Sequence, residues 1–322
     1  MWALCMKTVT THAQFKRVNK SIKCTLDEGE NWQDVFEGQI VTLINSGRLV
    51  FADIFRLVIG LHDKKYEVGL IQSHINVAIK YAQTARDIER LLWFRSRSIN
   101  EGNLRHISIS IGECLNRIGE PRDELTDEEC LERGEEAIRI LQYIKQNRFR
   151  GVAMDKQHVT QAIKFAATPV QVFRILNLSG ETKDLDRLLS FAICEAINHF
   201  RGPNDDELSD LCRDLIFLVN NKNDFIIQCV KHCQSVETLR EMLSYFDSSD
   251  PDKQDLLQKA LVTCLFKQDS EAAYTLVPQL VGIAREFGIS IDPQKVVMAQ
   301  LTYFRKQVWY RLEKHCSYSG YL

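Results

Sequence analysis

Cys229, His232 and Cys233 stand at i, i+3 and i+4. On a helix that spacing brings two thiols and an imidazole to one face, a ligand set of the kind zinc takes. The same stretch belongs to a phrase that returns elsewhere without those ligands. Ala78-Ile79-Lys80-Tyr81-Ala82-Gln83-Thr84 and Ala162-Ile163-Lys164-Phe165-Ala166-Ala167-Thr168 both align with Cys229-Val230-Lys231-His232-Cys233-Gln234-Ser235. The ligand positions are Ala78, Tyr81 and Ala82 in one copy and Ala162, Phe165 and Ala166 in another. The set therefore reads as the core-facing stripe of a repeat, where cysteine behaves as a small buried hydrophobe. No metal and no other cofactor is expected.

What all three copies keep is a cation, at Lys80, Lys164 and Lys231. In a stack of repeats equivalent residues project in register, so three lysines could form a ladder suited to a polyanion. The alternative is that each lysine lays its aliphatic stem over its own core and leaves its charge in water. A helix expected at 296–313 interleaves Tyr303, Phe304, Trp309 and Tyr310 with Arg305, Lys306 and Arg311. Such a surface can stack and pair with single-stranded nucleic acid, or it can close the end of a repeat array. No phosphate loop, dinucleotide fingerprint or Gly-x-Ser-x-Gly elbow occurs, and the 8 histidines are dispersed. Neither an enzyme nor a small-molecule substrate is expected.

The elements that would position these residues are helices. The phrase starts at 78, 162 and 229, with a weaker copy at Ala299-Gln300-Leu301-Thr302-Tyr303, so the starts lie 84, 67 and 70 residues apart. A helical segment returning at such intervals marks stacked supersecondary units. Only 6 Pro and 15 Gly occur in 322 residues, which also favours long helices. The fold expected is all-α, a solenoid of antiparallel helical hairpins of about 34 residues, paired into blocks of about 68. Within the second block, Thr168 caps a helix with Pro169 at its first position, Ser179-Gly180 ends it, and Gly202-Pro203 stops the next. Gly151 and Asp155 predict a left-handed helix end followed by a cap.

Residues 1–30 read as a basic, poorly ordered arm and 31–322 as the repeat domain. Residues 120–136 read as an acidic loop, with a Thr126 to Glu129 capping box opening the next helix. Net charge is −2, but residues 1–26 hold five cations and no acid, so the ends are basic and the middle acidic. Hydrophobic residues make up 45% and charged residues 26%, ordinary for a folded chain. The 10 cysteines lack paired extracellular spacing, which predicts reduced thiols and a cytoplasmic location. No secretory signal and no membrane span is expected.

These features resemble the pentatricopeptide and tetratricopeptide superfamily. The nearest single stretch runs from Ala260-Leu-Val-Thr-Cys-Leu265 through Ala272-Ala273-Tyr274 to Phe287-Gly288 and Asp292. The resemblance implies that Thr160, following Asp155, could face an RNA base, whereas Val297 after Asp292 departs from the polar requirement. The overall pattern also resembles the C-terminal helical region of vertebrate testis- and ovary-specific PAZ-domain proteins. That likeness implies a germ-cell, spermatogenesis-related role and a chain that is part of a longer protein. No alternating strands of the kind a PAZ barrel needs are read here. The function expected is a non-catalytic scaffold in a cytoplasmic RNA-associated assembly, holding a protein partner and single-stranded RNA. The rival expectation is a protein–protein adaptor with no nucleic-acid contact.

Overall fold

In a computed structural model the described residues are 8–23, 32–65, 70–94, 101–118, 125–180, 185–200, 204–247, 251–267, 279 and 282–289. Among them there is no strand. The chain divides into two compact units, Met1–Phe165 and Ala166–Leu322.

The first unit holds α1 (His12–Lys23), α2 (Trp32–Asn45), α3 (Phe51–His62), α4 (Gln72–Lys80), α5 (Ala85–Trp93), α6 (Glu101–Ile118), α7 (Asp127–Lys145) and α8 (Lys156–Lys164). Its helices pack by alternation. α2, α4, α6 and α8 are successive neighbours in one layer; α1 pairs with α3 and α5 with α7 in the other. The second unit holds α9 (Pro169–Ser179), α10 (Arg187–Asn198), α11 (Asp205–Leu215), α12 (Lys222–Val230), α13 (Val236–Ser244) and α14 (Pro251–Lys267). There α10, α12 and α14 form one layer and α9, α11 and α13 the other. Alternate helices as neighbours is the packing rule of helical-repeat proteins, in which each unit buries its apolar face against the next.

The recurring phrase now has a structural meaning. Each copy is the end of a short helix, a tight turn and the cap of the following helix. Thr84, Thr168 and Ser235 accept from the backbone N–H of Asp87, Gln171 and Thr238 respectively. The first two copies leave their helices with the same C-cap conformation: Tyr81 has φ −103° and ψ 1°, Phe165 φ −104° and ψ 3°. The block is therefore four helices long, beginning at α4, α8 and α12. Gly180 ends α9 at φ 76° and Gly151 precedes the Asp155 cap at φ 89°, left-handed conformations that an L side chain resists.

Two boundaries differ from the sequence reading. The N-terminal segment contains α1, anchored by Phe15, which is fully buried with its ring 5.9 Å from that of Phe36. Its apolar stripe is too narrow to declare itself, because Lys16, Arg17 and Lys20 fill the solvent side. The acidic stretch is helical from Asp127 onward, opened by the Thr126 capping box. Its last acid, Glu136, is buried, and its Oε1 accepts from the N–H of Ala85 at 2.5 Å while Arg139 pairs with Oε2. A carboxylate there satisfies an orphan donor at the first turn of α5.

Candidate functional site

The three candidate ligands do not share a helical face. α12 ends at Val230 with Lys231 as its C-cap, so His232 and Cys233 lie in the following turn, and a helical i, i+3, i+4 set never forms. Cys229 and Cys233 are buried thiols; the Cys233 thiol points back to the carbonyl of Cys229 at 3.8 Å. The His232 ring packs 6.0 Å from Phe200. Burial pushes the Cys229 thiol well above its ordinary range, reinforced by the Cys212 thiol against it. Burial raises Cys233 likewise. Among the described residues no group of His, Cys, Asp or Glu is arranged to hold a metal ion.

The recurring lysines occupy one repeat position in the sequence, and the heads of Lys80 and Lys231 are engaged by neighbouring side chains. Lys80 Nζ pairs with Glu113 of α6 at 2.7 Å. Lys231 Nζ donates to Asn198 of α10 at 2.9 Å and to Gln228 at 2.5 Å, and burial lowers its pKa. Lys164 is the last residue of α8, as Lys80 is of α4, and is half-buried. Lys80 and Lys231 thus tie the short first helix of a block to a flanking helix of the same layer. Thr160 lies on α8 with its hydroxyl donating to the carbonyl of Lys156 at 2.8 Å. Asp155 is taken up by capping His158 N–H and by the Ser108 hydroxyl at 2.7 Å. Arg305, Lys306, Arg311 and the helix expected at 296–313 lie outside the described residues.

Two recurrences escaped the sequence reading. His74 and His158, 84 residues apart like the phrase itself, are both fully buried. In each, Nδ1 faces the backbone N–H three residues earlier, at Ile71 and Asp155. Nε2 meets a carbonyl of the preceding helix in the layer, Glu37 at 3.4 Å and Ser108 at 2.8 Å. At His74, Nδ1 as acceptor puts the proton on Nε2, so this imidazole bridges two helices in its neutral form. The second recurrence is a thiol. Cys114 of α6 donates to the carbonyl of Ala82 at 3.2 Å, and Cys264 of α14 donates to that of Cys233 at 3.0 Å. Ala82 and Cys233 are the same phrase position. The histidines were present as an identity at the phrase's own spacing; the two thiols stand 32 and 31 residues from their acceptors, one residue out of register.

The surfaces carry a few large apolar side chains. On α10, Leu188 and Phe191 are each 64% exposed, one turn apart. At the end of α5, Trp93 is 72% exposed with the Arg150 guanidinium 5.1 Å from its ring centroid. No described helix is long and apolar enough to cross a membrane. The class these observations define is an all-α helical-repeat protein. No family model, curated protein or solved structure matches the chain, so its function has to be argued from these surfaces.

Proposed function

We propose that the chain is a non-catalytic helical-repeat scaffold that holds a protein partner on an exposed helix face. The supporting observation is α10. This helix already buries Leu189, Ala192, Ile193, Ala196 and Ile197 within its unit, a complete apolar stripe for a two-layer stack. Leu188 and Phe191 add a second apolar surface on its solvent side. Large exposed apolar side chains side by side favour a covering partner, and repeat proteins bind through such helix faces. The ladder of lysines supports the reading less, because Lys80 and Lys231 spend their charge on Glu113, Asn198 and Gln228. A place in a cytoplasmic, germ-cell RNA assembly rests on the resemblance alone.

The test is site-specific photo-crosslinking in cells, with a benzophenone side chain at position 191 and, as control, at the solvent-facing position 210. The reading expects one discrete crosslinked polypeptide from 191, absent from 210 and lost when Leu188→Asp is added. Crosslinking from 191 no different from 210 would overturn it.

A further inference from the structure

We propose that the basic face of α1 docks on the projecting start of α7 in a second copy of this chain. The contact goes beyond the partner held at α10 and uses none of its residues.

α7 is longer than the stack needs. Of its 19 residues, those that are buried lie from Gly134 onward, so the first two turns extend past the helices that cover the rest. Those turns hold Asp127, Glu128, Glu129 and Glu132 against Arg133, with Leu131 37% exposed among them. A short helical end without packing is marginal in water. The Thr126 capping box gives it local support and occupies Glu129, whose Oε2 accepts from the Thr126 N–H at 2.8 Å. Glu128 and Glu132 are exposed, one turn apart, and make no ion pair among the described residues.

α1 is the reverse case. It carries Lys16, Arg17, Lys20 and Lys23 and no acid. Phe15 is fully buried against Phe36, which turns Ala13, Lys16, Arg17 and Lys20 to solvent as one face. Those three cations likewise make no ion pair among the described residues. The acids of the neighbouring α3 region are already matched, Asp53 by Arg56 at 3.2 Å and Asp63 by Lys65 at 2.9 Å.

Lys16 and Lys20 have the i, i+4 spacing of Glu128 and Glu132. Each pair therefore spans about 6 Å along one side of its helix, and two helices laid antiparallel can join both pairs at once. The aliphatic stem of Arg17 can then cover Leu131. Within one chain neither set pairs with the other, so the complement of α1 is found on another molecule. A foreign acidic partner would satisfy α1 and leave the projection of α7 uncovered; a second copy satisfies both. The net charge of −2 leaves little overall repulsion between copies. Exposed ion pairs each contribute little and are screened by salt, so the association is expected to be weak and salt-labile.

The test is sedimentation velocity of the full chain at about 50 and about 500 mM salt. Wild type is expected to sediment faster than a single chain at the lower salt and as a single chain at the higher. Lys16→Glu, Arg17→Glu and Lys20→Glu together are expected to abolish the association, as are Glu128→Lys and Glu132→Lys together. An equimolar mixture of the two reversed proteins is expected to restore it, since a reversed α1 then meets a reversed α7. Thr126 and Glu129 stay in place to keep the α7 cap, and matching circular dichroism separates loss of the contact from loss of the fold. Wild type that remains single at the lower salt overturns the proposal, as does association that survives either reversal or fails to return on mixing. A chain that remains single yet binds a polyglutamate peptide through Lys16, Arg17 and Lys20 overturns it too, and assigns the α1 face to a foreign acidic partner. Crosslinking at position 191 reads the partner of α10 separately, so either proposal can fail without the other.

Discussion

His74 shows a titratable side chain put to structural use, its buried ring linking α4 to the Glu37 carbonyl of α2. Burial lowers its pKa below the ordinary 6.5, against a smaller opposing pull from the Glu37 carbonyl. The folded state therefore binds fewer protons than the unfolded state. The stability this imidazole contributes is whole above 6.5 and is lost as pH falls from there through the lower folded value. The third copy of the phrase places the buried Phe225 where the first two have His74 and His158, so the position accepts an aromatic ring without titration. His74→Phe is expected to flatten the fall in urea midpoint between about pH 6.5 and 5; an unchanged slope would assign the acid sensitivity elsewhere. The cysteines make a second residue-scale case. Burial holds Cys114, Cys229 and Cys233 as thiols well above the ordinary range and pushes Cys194 up to about 12. Since the thiolate is the reactive form, native-state alkylation read by mass spectrometry is expected to reach the part-exposed Cys130 before the buried Cys114, Cys229 and Cys233. Cys114, Cys229 and Cys233 should follow only on unfolding, and their rapid labelling in the folded protein would contradict the packing. The repeat alignment had already placed Cys229 and Cys233 in the core. It could not show that α12 stops at Val230, because the helix end depends on how the turn packs.

At the scale of the element, the sequence carried its punctuation openly. Thr126, Asp155 and Thr168 cap the helices read from them, and Gly151 and Gly180 adopt the left-handed conformations their positions implied. These signals are local, made by one side chain and a backbone N–H a turn away, and so survive without tertiary information. The misses were not local. α1 exists because Phe15 finds Phe36, and the acidic half of α7 is fixed partly because Glu136 reaches Ala85 across 51 residues. Thr168→Ala is expected to destabilise the chain by about 1 kcal/mol through the lost cap. Gly180→Ala is expected to cost about 1 to 2 kcal/mol through the strain of a Cβ at positive φ. Both are measured as shifts in urea midpoint with unchanged slope. A neutral Gly180→Ala would mean that α9 does not end in the left-handed turn.

For the whole molecule, the phrase pointed to the architecture because a repeat needs the same hydrogen bonds at each return. The capping hydroxyls at Thr84, Thr168 and Ser235, the thiols of Cys114 and Cys264 and the bridging imidazoles meet that need. Repetition therefore revealed the fold and hid the function, since what recurs is what holds the units together. The surface proposed for a partner, Leu188 and Phe191 on α10, lies outside the recurring phrase, and no periodicity marks it. The most direct test of the scaffold account is hydrogen–deuterium exchange of the full chain, with and without the polypeptide captured at position 191. The account predicts slowed exchange in peptides covering Arg187–Asn198, with α4 and α6 unchanged. Protection confined to other helices, with α10 exchanging as in the free chain, would contradict it.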